Sequence, residues 1–239
     1  LGDLGVAGAL PNPLLRIVDS RGETIAVNDD WHTNDNLLAL TAASQRLGAF
    51  ELRSGSRDAA LLTTLPPGNY TAVVSGGPGQ TGIALVEAYD ADSSESVART
   101  RKLINIATRG WVDHGDNVLI AGLVVSGPGP RTFLIRAVGP TLLQPPFNVP
   151  DALRDPFLQL YRGETLLREN DDWDAPLAAQ PALREAAARV GAFALQETRN
   201  GTGLDAAMLV TLPPGSYTAK VSGFQGSTGV ALVEVYELP

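Results

Sequence analysis

The sequence contains no cysteine, only two histidines and no long uninterrupted apolar stretch. Without cysteine there is no disulfide framework, no thiol nucleophile and no thiolate metal site. A membrane-spanning helix needs about 20 consecutive apolar residues, so we expect a soluble protein without membrane insertion. The 26 acidic residues outnumber the 18 basic ones and give a net charge of −8. Because this charge repels a phosphate backbone, we do not expect nucleic acid as a partner.

Turn-forming residues are abundant. The 239 residues include 25 glycines and 17 prolines, which is too many for a helical bundle, while 44% of the residues are apolar and can form a core. The glycines follow no triplet period, which excludes a collagen-like chain. The length predicts one or two domains.

The chain contains an internal repeat. Residues 58–90 align without a gap with residues 205–237, and 23 of the 33 positions are identical. The match continues upstream to the Asn-Asp-Asp-Trp steps at 28–31 and 170–173, which are 142 residues apart. This period is too long for a solenoid repeat, so each copy is predicted to be a small domain with its own core.

The first copy is incomplete. Residues 102–140 precede the second copy and nothing corresponding precedes the first, so the sequence holds about 1.7 periods. Either the chain is a fragment of a longer array, or strands of another molecule complete the first copy. We predict a first repeat at 1–97 that lacks its N-terminal strands, a linker at 90–101 and a complete second repeat at 98–239.

Short runs rich in β-branched and aromatic residues predict strands at 14–18, 59–65, 70–75 and 82–89, with two longer strands at 117–125 and 131–138 in the second copy. The Pro-Pro-Gly steps between strands predict hairpin turns. Each copy also has one helical pattern, Leu40, Ala43 and Leu47 or Leu183, Ala186 and Val190, followed by a capping glycine. The predicted fold is mainly β: two tandem antiparallel, jelly-roll-like β-sandwiches, each with one short helix.

The Asn-Asp-Asp step followed by LPPGxYTAxVSG and a final apolar strand resembles the bacterial pre-peptidase C-terminal domain. The resemblance covers residues 14–30 and 58–89 in the first copy and 157–172 and 205–236 in the second. It implies a β-sandwich attached to a secreted or cell-surface bacterial protein, and in some members calcium or polymer binding. Extracellular localisation is expected on this ground alone.

The best metal candidates are Asn28, Asp29, Asp30 and their equivalents Asn170, Asp171, Asp172. Calcium takes six to eight oxygen ligands, and two adjacent carboxylates supply too few of them. The alternative is that Asn and Asp close a turn through side-chain bonds to the backbone. The resemblance favours calcium, while the residues themselves favour the turn, and both explanations stay open.

Two other sets of side chains are candidates for chemistry. Glu87 and Glu234 lie inside apolar strands, and Arg136 is a possible structural partner for Glu234, with a catalytic acid as the alternative. Trp31 and Trp173 occupy equivalent positions beside a turn, where each is either a sugar-stacking platform or half-buried packing.

We expect a non-enzymatic extracellular structural or adhesive repeat module: a stalk, spacer or fibre subunit. No GxSxG, HExxH or Walker motif occurs, and His32 of the first copy aligns with Asp174 of the second. The expected partners are neighbouring copies of the chain or adjacent repeats. The alternatives are an accessory module that binds a polysaccharide or protein polymer with calcium, and a hydrolase.

Overall fold

The computed structural model describes residues 1–2, 5–92, 103–197 and 204–239. The chain divides into two compact units, Leu1–Lys102 and Leu103–Pro239. Most of the predicted linker at 90–101 lies outside the described residues. No helix in the described part of the chain is long and apolar enough to cross a membrane.

The first unit contains three strands and one helix among its described residues. The three strands form an antiparallel sheet in the order β2-β1-β3. The elements are β1 (Leu14–Asp19), β2 (Thr24–Asn28), α1 (Leu37–Leu47) and β3 (Tyr70–Ser75).

The second unit is a sandwich of two four-stranded antiparallel sheets, in the orders β5-β10-β7-β8 and β4-β11-β6-β9. Its elements are β4 (Asn105–Val112), β5 (Leu119–Val125), β6 (Arg131–Val138), β7 (Pro156–Arg162), β8 (Thr165–Asn170), α2 (Gln180–Val190), β9 (Ala206–Leu212), β10 (Gly215–Gly223) and β11 (Gly229–Glu237). The mainly β class, the antiparallel pairing and the single helix per unit are thereby confirmed. Strand β4 was not predicted.

The core of the second unit lies between its two sheets. Alternate residues of each strand point inward, so Ile135 and Val233 of one sheet and Leu158 and Val221 of the other belong to one buried cluster. One face of β10 carries the half-buried Lys220, while Tyr217, Ala219 and Val221 on its opposite face are buried.

Helix α2 covers the outer face of the β4-β11-β6-β9 sheet. Leu183 and Ala186 are its buried residues, and they cluster with Leu134 and Tyr236 of the sheet. The helix ends at Gly191, whose left-handed φ of 69° allows its N–H to bond back into the last turn. Helix α1 ends in the same way at Gly48, so both predicted helices and both caps are confirmed.

The predicted strands at 59–65 and 82–89 are wrong for the first unit, apart from one isolated bridge between Ile83 and Ala9. In the second unit the corresponding strands β9 and β11 both pair with β6, and β11 also pairs with β4. The described residues of the first unit include no counterpart of β4 or β6. A strand without a neighbour forms no ladder, so the same sequence stays irregular where its partners are missing.

Several contacts outside the sheets are the same in both units. The hydroxyl of Tyr70 donates to the carbonyl of Pro66 at 3.0 Å, and that of Tyr217 donates to Pro213 at 2.7 Å. These bonds close the predicted Pro-Pro-Gly turns onto the following strand. The two units therefore share local structure as well as sequence.

A glycine permits a second shared contact. A side chain at Gly82 or Gly229 would lie 2.7 Å from the backbone of the segment that it crosses. Only glycine allows the two backbones to come this close. The same hydrogen bond forms in each unit: the Leu10 N–H donates to the Ile83 carbonyl, and the Leu153 N–H donates to the Val230 carbonyl, both at 2.8 Å.

Candidate functional site

The Asn-Asp-Asp-Trp turn of the second unit holds strand β9 in place. The Asn170 side chain accepts a hydrogen bond from the Ala207 N–H at 2.8 Å and donates to the Asp172 carbonyl at 2.8 Å. The Trp173 N–H donates to the Asp205 carbonyl at 2.7 Å. The turn therefore connects the end of β8 to the start of β9.

The first unit repeats this arrangement. Asn28 accepts from the Ala60 N–H at 3.0 Å and donates to the Asp30 carbonyl at 3.0 Å. The Trp31 N–H donates to the Asp58 carbonyl at 2.7 Å. In both units the amide oxygen of the asparagine is engaged by a backbone N–H, which is the turn arrangement considered from the sequence.

Four carboxylates surround the turn of the second unit. Burial raises the pKa of Asp172, and Asp171, Asp155 and Asp174 raise it further. Burial also raises the pKa of Asp155, with an additional contribution from Asp171. A cation would relieve this repulsion.

The first unit has a weaker version of this group. Asn12 and His32 occupy the positions of Asp155 and Asp174, so only Asp29 and Asp30 remain as carboxylates. No three His, Cys, Asp or Glu side chains in the described parts of the chain are placed to hold a metal ion. With the asparagine oxygens also engaged, neither turn offers the six to eight oxygens that calcium takes. Calcium at these turns stays a prediction.

The two tryptophans are packed to different degrees. Trp173 is 4% exposed, its indole N–H donates to the Gln196 carbonyl at 3.1 Å, and the Arg184 guanidinium lies 4.8 Å from its ring centre. A ring in this position belongs to the core and has no free face for a sugar. Trp31 is half-buried and bonds to the Arg53 carbonyl at 3.3 Å. Sugar stacking at Trp31 stays a prediction.

Arg136 and Glu234 face each other on adjacent strands under helix α2. The Arg136 Nε donates to Glu234 Oε2 at 2.8 Å, and a second guanidinium nitrogen contacts the same oxygen. The guanidinium also lies 4.3 Å from the centre of the Phe193 ring and donates to the Phe193 carbonyl. The two charges are thus used in packing and in binding each other.

Tyr236 completes the group around Glu234. Its hydroxyl donates to Glu234 Oε1 at 2.8 Å. Burial raises the pKa of Tyr236, and the Glu234 carboxylate raises it further. The phenol therefore stays protonated and acts as a permanent donor to the carboxylate.

Asp205 is a buried acid that was not among the residues predicted from the sequence. Its carboxylate accepts from the Gly139 N–H at 2.8 Å, the Thr141 N–H at 3.3 Å and the Thr141 hydroxyl at 2.5 Å. Burial raises the pKa of Asp205, and these hydrogen bonds act against that rise. The signal in the sequence is an aspartate, Asp58 or Asp205, that precedes the same Ala-Ala strand in both copies.

The described residues contain no arrangement of nucleophile and base. His114 is exposed in the turn after β4, and His32 is exposed beside Trp31, with ring centres 6.3 Å apart. Neither imidazole is hydrogen bonded to a serine or a carboxylate in the described parts of the chain. Ser75 and Ser222 lie at or near the ends of strands β3 and β10, as expected for structural residues.

An apolar cleft of about 260 Å³ lies between helix α2 and the sheet beneath it. Leu134, Leu183, Ala187 and Phe193 line it, together with the charged residues Arg136 and Arg184. Because Arg136 is bonded to Glu234 and Arg184 to Glu197, the cleft offers an incoming ligand little beyond an apolar surface.

No protein-family model and no curated protein matches the chain. Two solved structures match, among them the pre-peptidase C-terminal domain of a collagenase from Bacillus anthracis. That match has 11% sequence identity and a TM-score of 0.32, and it covers 55% of this chain and 89% of the collagenase domain.

Proposed function

We propose that the chain is a non-enzymatic structural module of an extracellular or cell-surface bacterial protein, acting as a stalk, spacer or fibre subunit built from repeated sandwiches. The observation that carries this proposal is that the contacts shared by the two units are contacts that maintain the fold. The asparagine-held turn, the tyrosine bond to proline, the glycine crossing and the helix cap are present in both. All four are folding contacts.

The polar side chains that could take part in a reaction or bind a ligand differ between the units. His32 occupies the position of Asp174, and Asn12 that of Asp155. A shared reaction would require the same polar group in both copies, whereas a shared scaffold requires only the same folding contacts. This contrast supports a structural role. Strand complementation between subunits is one mode of assembly open to a unit whose described residues include no counterpart of β4 or β6.

The test combines activity assays with electron microscopy. The purified chain is incubated with generic ester, glycoside and peptide substrates, and we expect no turnover above that of heat-inactivated protein. Turnover that Asp205→Asn or Glu234→Gln abolishes, while the variant remains folded, would contradict the proposal. Uniform fibres in the purified material would support a fibre subunit, and separate particles would support a spacer.

The four carboxylates around the second turn support one alternative, a calcium-dependent module that binds a polysaccharide or protein polymer. Their repulsion is the feature that an added cation would relieve. Co-sedimentation with insoluble polymers, with calcium and with chelator, separates this alternative from the spacer. Calcium-dependent retention on one polymer that is lost in Asp172→Asn would favour the binding module.

A further inference from the structure

Residues 59–65 and 82–89, here called the acceptor segments, expose apolar side chains that their counterparts bury. Val86 is 45% exposed and Val233 1%, Tyr89 is 43% exposed and Tyr236 6%. Leu65 and Leu212 differ in the same way. A patch of this kind on one of two homologous units indicates a surface that is covered when the unit is complete.

Residues 82–89 correspond to β11, which lies between β4 and β6, so both of their edges lack a neighbouring strand among the described residues of the first unit. Residues 59–65 are open on one side only. The Asn36 side chain bonds to the Leu62 carbonyl, as Arg168 bonds to the matching Leu209 carbonyl in the second unit. On the opposite edge β9 pairs with β6. The described residues of the first unit place no strand along that edge.

Glu87 specifies one residue of the missing strand. Tyr89 donates to Glu87 Oε1 at 3.1 Å, just as Tyr236 donates to Glu234. The register of the second unit places Arg136 between Glu234 and Ala207. In the first unit the equivalent neighbours are Glu87 and Ala60, and no arginine of the described residues lies between them.

Asp58 specifies the residues that come after this arginine. Its counterpart Asp205 is bonded to Gly139 and Thr141, which lie directly after β6. Residues 136–141 have the sequence Arg-Ala-Val-Gly-Pro-Thr. A strand that ends in this sequence would supply both the cation for Glu87 and the hydrogen-bond donors for Asp58. Within the 239 residues this pattern occurs once.

A second copy of the chain is a poor source of this strand. Each chain carries one β4–β6 segment, whereas its two units require two. A segment exchanged from a second copy would leave that copy's own second unit open, and it would leave Glu234 there without Arg136, which moves with the segment. Exchange between identical copies therefore completes one unit only by leaving another unit without its β4–β6 segment.

We infer that the acceptor segments bind a strand-donating polypeptide segment with the pattern of residues 105–141, supplied from outside residues 1–239 and not engaged in a sandwich of its own. Its arginine pairs with Glu87, and its Gly-Pro-Thr end donates to Asp58. The inference builds on the proposed function in treating residues 1–102 as one unit of a repeated scaffold. Strand addition of this kind combines backbone hydrogen bonds with side-chain specificity.

The test adds a synthetic peptide of residues 103–143 to the full 239-residue chain. We expect one peptide per chain in native mass spectrometry, and slowed amide exchange at 59–65 and 82–89. Glu87→Gln in the chain, or Arg136→Gln in the peptide, should weaken binding by roughly 30-fold or more, because each leaves one partner of a buried pair unmatched. Glu51→Gln, an exposed site outside the acceptor segments, is the matched control and should bind normally.

A fusion guards against failure of the peptide to stay soluble. Residues 103–143 placed directly before Leu1 reproduce the spacing of the second unit and should protect the same amides. If neither peptide nor fusion protects 59–65 and 82–89, the inference is wrong. If Glu87→Gln binds the peptide as tightly as the native chain does, the pairing of Glu87 with the arginine is wrong. If the chain alone dimerises and its amides at 59–65 and 82–89 are protected, the donor is a second copy of the chain, and the inference is wrong. Failure of the structural function would appear instead as turnover or polymer binding.

Discussion

Arg136 and Glu234 form an ion pair that helix α2 covers, with side chains only 1% and 5% exposed. The pair joins neighbouring strands, and the Tyr236 hydroxyl binds the second carboxylate oxygen. It is a fully buried ion pair in the interior of the second unit. Its counterpart in the first unit is Glu87 with Tyr89 and no arginine among the described neighbours.

Replacing one member of this pair should destabilise the second unit. Arg136→Met leaves Glu234 buried without a cation, which typically costs about 3 to 5 kcal/mol. Urea unfolding followed by tryptophan fluorescence measures the loss. The double variant Arg136→Met with Glu234→Leu removes both charges and should recover most of it. A single variant as stable as the native chain would contradict this assignment.

The tyrosine that closes the hairpin turn should matter in both units, but unequally. Tyr217→Phe removes the hydroxyl bonded to Pro213 and should cost about 1 kcal/mol. Tyr70→Phe is the matched change in the first unit, where the ring is only half-buried, and should cost less. Equal losses in urea unfolding would show that completeness of the sandwich does not affect this contact.

The carboxylates around the second turn predict a pH dependence. The folded-state pKa of Asp172 is raised above its ordinary value of 3.8, so its charged form is disfavoured in the fold. Its contribution to stability is full below pH 3.8 and is lost as the pH rises through the raised pKa. Asp172→Asn should therefore melt at a higher temperature than the native chain at about pH 7, with the advantage vanishing near about pH 3. A lower melting temperature at neutral pH would contradict the repulsion.

Bound calcium would reverse the order of the melting temperatures of the native chain and Asp172→Asn at neutral pH. If the turn binds the ion, calcium should raise the melting temperature of the native chain at neutral pH and leave Asp172→Asn unchanged. Glu51→Gln, an exposed site outside both turns, is the control and should respond to calcium as the native chain does. A melting temperature that neither calcium nor chelator changes, with no metal found by mass spectrometry, would remove the calcium prediction.

Local signals in the sequence predicted most of the fold. The spacing of Leu183, Ala186 and Val190 and the glycine after them predicted helix α2, and the β-branched and aromatic run at 131–138 predicted strand β6. The repeat itself predicted an incomplete first copy, and the described residues of the first unit include no counterpart of β4 or β6. These features depend on residues close together in the chain, which is why a pattern in one sequence reveals them.

Long-range partners were harder to predict. Residues 59–65 have a sequence almost identical to β9 but no strand beside them among the described residues, because pairing depends on β6 and not on their own composition. Asp205 is bonded to residues more than 60 positions away, so its sequence neighbours do not indicate a buried acid. For Trp173 the sequence left both a sugar-stacking platform and packing open, and its burial depends on Leu183 and Ala186 of α2, which belong to the same cluster.

Hydrogen exchange of the unmodified chain tests the central claim. The claim is that two copies of one module differ because the described residues of the first unit include no counterparts of β4 and β6 for residues 59–65 and 82–89 to pair with. Amides of 206–212 and 229–237, which lie in paired strands, should exchange slowly. Amides of 59–65 and 82–89 should exchange much faster, apart from the few held by Asn28 and Gly8. Equal protection of the corresponding segments in the two units would contradict the account.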